Sequence, residues 1–279
     1  MCQRPDMELS ARDTFSVPPS GVITLLTDFG NADGYVAAMK GVILTLNARA
    51  CIVDLSHEIE PQNIAAAAFL LSVHYKFFPR GTVHVAIVDP GVGTARAAWA
   101  CVFDGHYFVA PDNGLLDFCA AGEALAVKLT RPEYWRPELS HTFHGRDIFA
   151  PVAAHLTLGV PLLRLGERAQ VAARHIASSC RIENEALVGE IIHCDRFGNL
   201  ISNITSQDLQ SFCGGQAIRI AIAGLRFERL LPSYGHVAAG QPVALLNSCD
   251  RLEIGVNQGH AAALFGLAAG APILVTRGA

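Results

Sequence analysis

The stretch Asp89–Arg96, read D-P-G-V-G-T-A-R, directly follows the apolar run Val83–Val88, which has the composition of a buried strand. Pro90 has no backbone N–H to donate to a neighbouring strand, so the chain must leave the sheet at this point. Gly91 and Gly93 then permit a tight turn that brings the backbone close to whatever lies above the carboxyl end of the strand. Open α/β sheets bind their ligands at that edge, so the stretch indicates an α/β fold with a candidate site.

Charged side chains cluster around the predicted strand ends. Asp89 and Arg96 stand on opposite sides of the glycine turn and can face a common point, although an ordinary turn with an incidental surface arginine is the alternative. Asp28 and Asp54 also close predicted strands. In an α/β sheet the three aspartates could share one carboxyl edge, while capping a loop is the more common role for each one alone.

Strands and helices alternate through the first part of the chain, which predicts a layered α/β domain over residues 21–175. Apolar residues recur at helical spacing in Tyr35–Leu46 and Asn63–Tyr75, and Phe143–Asp147 is expected to open a helix that runs to about Leu158. The dipeptide Asp104-Gly105 favours a hairpin between two neighbouring strands.

The character of the chain changes after about Ala173. Short strands separated by Gly, Asn and Asp predict a small C-terminal β-barrel or sandwich over residues 183–279. Residues 1–20 are polar and proline-containing and lack an apolar h-region, so they are expected to form a flexible tail and not a signal peptide.

Composition narrows the class of protein. The 279 residues are 51% hydrophobic and 16% charged, and the formal net charge of -4 comes without a Lys/Arg block, so neither nucleic acid nor an acidic membrane is an expected partner. The longest apolar run, Ile64–Val73, is too short to span a bilayer. The eight cysteines form no C-x-x-C pair, which argues against structural zinc and predicts a reducing, cytoplasmic location.

Common catalytic motifs are absent from the sequence. It contains no Walker loop, no G-x-G-x-x-G and no G-x-S-x-G, and the D-F-G beginning at Asp28 lacks the other kinase signatures. His144 lies between Phe143 and Gly145, where a lone histidine is usually structural. Metal ligation by Asp28, Asp89 and His144 is conceivable, but no ligand spacing supports it.

Five motifs in a fixed order carry a resemblance to a known family. They are T-D-F-G at 27–30, D-P-G-V-G-T-A-R at 89–96, F-H-G-R-D at 143–147, D-R-F-G-N at 195–199, and N-S at 247–248 with L-E-I-G-V-N at 252–257. Together they resemble the S-adenosyl-L-methionine hydroxide adenosyltransferases, which are related to fluorinating and chlorinating enzymes that use the same substrate. The resemblance covers nearly all of Val22–Thr276. It implies an α/β N-terminal domain, a C-terminal β-barrel, and a homotrimer with active sites between the N-domain of one subunit and the C-domain of its neighbour.

The resemblance also implies roles for individual residues of the first domain, and a reaction without metal or cofactor. Asp89, Arg96 and His144 match the residues that handle the attacking water. Asp28 matches the carboxylate that holds the ribose hydroxyls. Gln62 falls where the halogenating relatives place an aromatic ring against the ribose, so that stacking contact is expected to be absent.

In the second domain the resemblance assigns the remaining substrate contacts. Asp195 matches the residue that pairs with the methionine ammonium, and Ser248 matches the one that binds its carboxylate. Phe197 and Asn199 match contacts on the adenine side. Gln258 also falls on the adenine side, but at a position where the halogenating relatives have a small residue.

The implied reaction is hydrolysis of S-adenosyl-L-methionine to adenosine and L-methionine by attack of an activated water on the ribose C5′ carbon. A halide adenosyltransferase is the nearest alternative, and the carboxylate of Asp89 argues against it because it would repel chloride or fluoride. A non-catalytic binder of the same molecule would have no need of a water site. A metal-dependent hydrolase would be sensitive to chelators.

Overall fold

The structure is a computed structural model that describes residues 17–171 and 179–278. The chain divides into two compact units, Met1–Ala67 with His74–Ala173 and Ala68–Val73 with Arg174–Ala279. The predicted tail falls mostly on residues 1–16, and the predicted junction between domains falls largely on 172–178, so both lie mainly outside the described residues.

Strands and helices alternate in the first unit, as the sequence predicts. In chain order they are β1 (Val22–Thr27), α1 (Tyr35–Leu46), β2 (Cys51–Ser56), α2 (Ile64–His74, divided between the units), β3 (Val83–Ile87), β4 (Ala98–Phe103), β5 (His106–Pro111), β6 (Ala124–Leu129), α3 (Ala150–Thr157) and β7 (Gly166–Ala169).

The strands of this unit form one seven-stranded mixed sheet in the order β2-β1-β3-β5-β4-β6-β7. Strands β2, β1, β3 and β5 run parallel, and β4, β6 and β7 add by antiparallel pairing. Thr27 pairs with Ile87 at the ends of β1 and β3, so the residues that follow both strands leave the sheet at one edge. This confirms the α/β prediction, and it places Asp28 and Asp89, but not Asp54, after strands that end at a shared edge.

Strand β3 shows how the sheet separates two faces. Val83, Val85 and Ile87 are buried in the hydrophobic core that also contains residues of α1 and α3. Because side chains alternate along a strand, His84 points to the opposite face. There its Nδ1 lies 2.7 Å from Thr24 Oγ1 and its Nε2 lies 3.2 Å from His106 Nδ1.

The second unit is an antiparallel sheet with two short helices. In chain order its elements are β8 (Arg181–Glu183), β9 (Ala186–Cys194), β10 (Leu200–Thr205), α4 (Ser206–Cys213), β11 (Ile218–Ile222), β12 (Leu225–Phe227), β13 (Pro242–Leu246), β14 (Arg251–Val256), α5 (Ala261–Phe265) and β15 (Pro272–Arg277).

Pairing in the order β12-β11-β15-β9-β10-β14-β13 curls this sheet into a nearly closed barrel. The Leu231 N–H donates to the Ala244 carbonyl at 2.8 Å, so the segment after β12 reaches back to β13. The β-barrel prediction is confirmed. The strand expected at Leu225–Leu230 ends at Phe227, and β15, which lies between β11 and β9, was not predicted.

No helix in the described ranges is long and apolar enough to cross a membrane.

The buried histidine of β3 leads to a prediction about stability in acid. Burial, followed by the charge of His106, lowers the pKa of His84 to about 3 from the ordinary value of 6.5. The unfolded chain therefore binds a proton that the folded chain excludes, and this contribution to stability is lost as pH falls from about 6.5 towards 3. The expected loss is roughly 1.4 kcal/mol for each pH unit within that window.

Urea unfolding at a series of pH values measures this effect. In His84→Gln the free energy of unfolding should fall less steeply with acid than in the wild type. His236→Gln, at an exposed histidine, is the control and should keep the wild-type slope. Equal slopes for His84→Gln and the wild type would contradict the account.

Candidate active site

The glycine turn after β3 is fixed by a close backbone approach. Gly93 has φ of +76°, and a Cβ at this position would lie 2.3 Å from the His141 carbonyl oxygen. A side chain is therefore excluded by both conformation and space. The Thr94 N–H donates to the Gly91 carbonyl at 3.2 Å and closes the turn, which carries the chain from Asp89 back towards the sheet.

Asp89 and Arg96 form a bidentate ion pair across this turn. Arg96 Nε lies 3.0 Å from each carboxylate oxygen, and its Nη2 donates to Oδ2. The side chains are only 5% and 11% exposed, so the pair is largely removed from water. The guanidinium also lies 5.4 Å from the centre of the Phe149 ring. The incidental surface arginine considered from the sequence is therefore excluded.

His144 joins this pair through the same arginine. Arg96 Nη2 lies 2.9 Å from His144 Nδ1. A guanidinium can only donate, so Nδ1 must accept, and the neutral ring carries its hydrogen on Nε2. Burial, and after it the charge of Arg96, lowers the pKa of His144 although the Asp89 carboxylate opposes the shift. The structure thus brings the three residues proposed for water handling into one connected set.

Asp28 lies at the same edge, one residue beyond β1. Its Oδ2 accepts the Gln62 backbone N–H at 2.9 Å. Gln62 reaches this position with φ of 69°, which is uncommon for a residue with a side chain. The strained backbone directs the Gln62 N–H at the carboxylate and holds it in place.

Asp54 was expected to close its strand, but β2 continues to Ser56, so Asp54 lies within the strand and has other partners. Asp54 lies within β2, with Oδ2 2.7 Å from Lys40 Nζ and Oδ1 3.0 Å from His57 Nε2. Burial raises the pKa of Asp54, but the bonds from Lys40 and His57 outweigh it and the net shift is downward. This carboxylate therefore belongs to an ion-pair group that joins β2 to its neighbours.

Asp147 is a buried carboxylate to which no role was assigned from the motifs. It accepts from Arg146 Nε at 2.7 Å, Arg136 Nη1 at 3.0 Å and the Ser140 backbone N–H at 2.8 Å. Burial raises the pKa of Asp147, but the bonds led by Arg146 give a net lowering. The carboxylate ties down the loop that ends at His144. The position of Asp147 in the motif F-H-G-R-D was the one sign in the sequence that this residue matters. The sequence does not show which groups bond to it.

An aromatic cluster adjoins the edge. The Phe143 ring centre lies 5.2 Å from that of Tyr35 and 6.0 Å from that of Phe29, and Phe29 lies 5.9 Å from Tyr35. Phe29 directly follows Asp28, and Phe143 directly precedes His144. The polar groups of the first unit are therefore flanked by apolar surface of the kind that small-molecule sites use.

In the second unit, Asp195 organises the turn between β9 and β10. Its Oδ1 accepts the backbone N–H groups of Phe197 at 2.9 Å and Asn199 at 2.8 Å, and its Oδ2 accepts from Asn199 Nδ2 at 2.9 Å. The turn leaves the Phe197 ring 75% exposed while Asn199 is buried. An exposed aromatic beside an ordered carboxylate is a surface suited to a ligand with a ring and a cation.

Ser248 and Gln258 lie in the turns that follow β13 and β14, and both are exposed. The neighbour of Ser248, Asn247, accepts the N–H groups of Cys249 at 2.9 Å and Arg251 at 3.1 Å through its Oδ1, which fixes the shape of that turn. Gln258 has φ of 54°. Each unit therefore assembles its own share of the residues assigned from the sequence.

A cavity of about 620 Å³ in the first unit lies apart from these residues. Its lining includes Val42 of α1, Trp135, Arg136 and His155 of α3, and none of Asp28, Asp89, Arg96 or His144. The described ranges also contain no group of three or more His, Cys, Asp or Glu side chains arranged to hold a metal ion.

Comparison with known proteins gives two matching family models and a set of relatives. Residues 23–166 match the SAM hydroxide adenosyltransferase N-terminal domain, and residues 189–274 match the C-terminal domain of the same family. The chain is 37% identical to the (R)-S-adenosyl-L-methionine hydrolase of Salinispora tropica, over 93% of this chain and 99% of that protein. It is 38% identical to the hydrolase of that name from Thermus thermophilus, over 90% and 98%.

More distant relatives and solved structures agree with this placement. The fluorinase of Actinopolyspora mzabensis is 29% identical, over 95% of this chain and 99% of the relative. The crystal structure of an uncharacterized conserved protein from Thermotoga maritima superposes with a TM-score of 0.83 at 36% identity, covering 91% of this chain and 100% of that one.

The contact between Arg96 and His144 predicts the direction in which variants shift a pKa. Arg96→Gln removes a positive charge that disfavours the imidazolium, so the pKa of His144 should rise towards its ordinary value. Asp89→Asn removes an opposing carboxylate and should lower it. NMR titration of the ring resonances measures both shifts.

His155 supplies the internal control, because burial alone lowers its pKa. Its titration should be the same in both variants. A His144 pKa that does not move in Arg96→Gln would mean that the two side chains do not touch in solution.

Proposed function

Because the chain belongs to the SAM hydroxide adenosyltransferase family, we propose that it hydrolyses S-adenosyl-L-methionine to adenosine and L-methionine. The observation that carries the proposal is the connected set of Asp89, Arg96 and His144 at the carboxyl edge of the sheet. The names of the relatives specify the R configuration at sulfur, and we propose the same epimer for this chain. A sulfonium is pyramidal, so the two epimers present the methyl group in different directions to a rigid site.

The leaving group needs little assistance from the protein, because methionine departs as a neutral thioether. The water oxygen forms a bond to C5′, the C5′–S bond breaks, and its electron pair neutralises the sulfonium to give the thioether of methionine. The water proton passes to a base. Opposite charges cancel as hydroxide approaches the sulfonium, so an apolar surround favours the transition state. In-line placement of the water supplies much of the remaining rate.

The tautomer of His144 determines which of the three residues donates a hydrogen bond and which accepts the proton. With Nδ1 accepting from Arg96, the ring offers only its Nε2–H, so His144 and Arg96 both act as donors to the oxygen that becomes negative. Asp89 is then the proton acceptor. A carboxylate has about four lone-pair positions, so Asp89 can accept from water while it remains bonded to Arg96.

The same geometry disfavours a halide as the nucleophile. The Arg96 charge that would attract chloride or fluoride is already balanced by Asp89 at 3.0 Å, and the carboxylate repels an anion. The relatives point the same way, since the four named hydrolases are 36% to 39% identical and the three fluorinases are 28% to 30% identical.

We further propose the substrate contacts and the setting of the reaction. Asp28 holds the ribose hydroxyls, Asp195 the methionine ammonium and Ser248 its carboxylate, while the adenine is contacted by Phe197, Asn199 and Gln258. No metal or cofactor takes part, because the sulfonium is already a good leaving group and Arg96 supplies the positive charge. We place the protein in the reducing cytoplasm, consistent with the seven free cysteines of the described ranges.

The assembly that we propose is a homotrimer. In this arrangement the first-unit residues of one subunit and the second-unit residues of its neighbour complete each site. Three identical head-to-tail contacts close into a ring and give three equivalent sites. The basis for this proposal is the family resemblance.

Product analysis tests the proposed reaction. The purified protein with EDTA and (R)-S-adenosyl-L-methionine should release adenosine and methionine in equal amounts, with or without chloride. Asp89→Asn should reduce kcat by about 100-fold or more, because it removes the base while keeping the shape of the side chain. Dependence on a divalent ion, a 5′-halogenated product or no turnover would each contradict the proposal.

The matched control is Asp54→Asn, which neutralises another aspartate of the same sheet, one that lies within β2. Asp54 is engaged with Lys40 and His57, so this variant should keep kcat within about twofold although its stability falls. An equal loss of kcat in both variants would show that removing either carboxylate charge from this sheet disables the enzyme, and Asp89 would then have no special role.

The trimer proposal predicts complementation between two inactive variants. Asp89→Asn lacks the base in the first unit, and Asp195→Ala lacks the ammonium partner in the second. When the two are unfolded and reassembled together, some interfaces should join an intact first unit to an intact second unit and recover activity. Mixed trimers of confirmed composition that remain inactive would place each site within one chain.

A further inference from the structure

Glu253 is a motif residue without a role in the reaction outlined above. It is the acidic residue of L-E-I-G-V-N in β14, and it is only 2% exposed. A carboxylate is rarely buried unless its oxygens are bonded, because removal of the charge from water costs several kcal/mol. Its partners therefore show what it holds in place.

One oxygen of Glu253 connects to the turn that carries Asp195. The Tyr234 hydroxyl donates to Glu253 Oε1. Asn199 Nδ2 lies 3.3 Å from the same hydroxyl and donates to Asp195 Oδ2 at 2.9 Å. The carboxylate assigned to the substrate ammonium is thus linked to Glu253 through the side chains of Asn199 and Tyr234.

The other oxygen connects to the turn that carries Ser248. Asn247 Nδ2 donates to Glu253 Oε2 at 2.9 Å. With its amide nitrogen held in this way, Asn247 presents Oδ1 to the N–H groups of Cys249 and Arg251 on both sides of the turn. The residue assigned to the substrate carboxylate therefore sits in a turn whose shape Glu253 sets.

The directions of these bonds match a carboxylate that accepts at both oxygens. Both asparagine amides and the tyrosine hydroxyl donate towards the carboxylates, and each carboxylate oxygen accepts. Burial is the largest influence on Glu253 and, with the charge of Asp195, gives a net rise of its pKa although the bonds from Tyr234 and Asn247 oppose that rise.

A glycine makes room for the network. A Cβ at Gly255, two residues beyond Glu253 in β14, would lie 2.8 Å from the Tyr234 ring and 2.9 Å from Asn199 Oδ1. The Tyr234 ring and the Asn199 amide occupy the space above this strand that a side chain would otherwise fill. The sequence of β14 is therefore fitted to the network at two positions.

We propose that Glu253 is a positioning residue that fixes Asp195 and Ser248 together in the geometry that binds the amino-acid end of the substrate. This inference rests on the function proposed above. Glu253 touches no part of the substrate itself. Its two carboxylate oxygens fix the positions of two exposed turns, one through Tyr234 and one through Asn247. Its buried negative charge adds to the attraction that Asp195 exerts on an ammonium group.

Glu253→Gln tests the inference, because the side chain keeps its shape but one of its two oxygens becomes an amide that cannot accept. Calorimetry in the inactive Asp89→Asn background should give a Kd for (R)-S-adenosyl-L-methionine about tenfold higher, as expected for a lost bond to a charged group. Adenosine, which lacks both amino-acid groups, should bind within about twofold of the parent. In the otherwise wild-type enzyme, KM should rise about tenfold with kcat within about twofold.

Two further variants separate positioning from simple loss of stability. Tyr234→Phe removes the hydroxyl that bonds Glu253 Oε1, so it should raise KM by about threefold. Combined with Glu253→Gln, it should raise KM little beyond the effect of Glu253→Gln alone. Ser202→Ala removes a fully buried bond of the same barrel, from Ser202 Oγ to the Leu252 carbonyl at 2.7 Å, and should lower the melting temperature without a change in KM.

Equal losses of affinity for substrate and adenosine, or a loss of kcat with KM unchanged, would overturn the positioning role. An unchanged KM and Kd in Glu253→Gln would also overturn it. A wild-type protein that binds the substrate but releases no adenosine would refute hydrolysis and leave the calorimetric test of Glu253 in force.

Discussion

The ion pair between Asp89 and Arg96 is the interaction on which the first unit's site depends. Both side chains are nearly removed from water, and deleting one partner of such a pair leaves an uncompensated charge at a cost of about 3–5 kcal/mol. The pair spans a turn that only glycine can make at position 93, and the same guanidinium selects the tautomer of His144. The backbone of one turn therefore determines which groups of this set can accept a hydrogen bond and which can only donate.

The second unit also depends on a buried carboxylate. There too a buried carboxylate, Glu253, has both oxygens occupied, and its partners belong to the turns that carry exposed residues assigned to the substrate. In each unit a buried carboxylate, Asp89 or Glu253, has its oxygens bonded by protein groups. The same bonds hold in place the neighbouring residues that are assigned to the reaction or the substrate. This arrangement suits a site that must bind a cationic substrate without large rearrangement, because the orientation of the polar groups is established before binding.

The sequence predicted the architecture well where periodicity was strong. The parallel strands, the hairpin at Asp104-Gly105 and the barrel are all present. Several elements were not predicted, and two of them have visible signals. In β15, Ile273 and Val275 alternate with exposed residues, and α4 begins with a capping box between Thr205 and Asp208. The roles of Asp147 and Glu253 could not be predicted, because their partners are brought together only by tertiary folding. The catalytic assignments came from ordered motifs and a family resemblance, and periodicity contributed nothing to them.

In the proposed reaction an oxygen atom of water becomes bonded to the ribose C5′ carbon as methionine leaves. Hydrolysis in water enriched in oxygen-18, followed by mass spectrometry of both products, follows that atom. One solvent oxygen is expected in the 5′-hydroxyl of adenosine and none in methionine. Unlabelled adenosine, or label in an amino-acid product accompanied by methylthioadenosine, would contradict it.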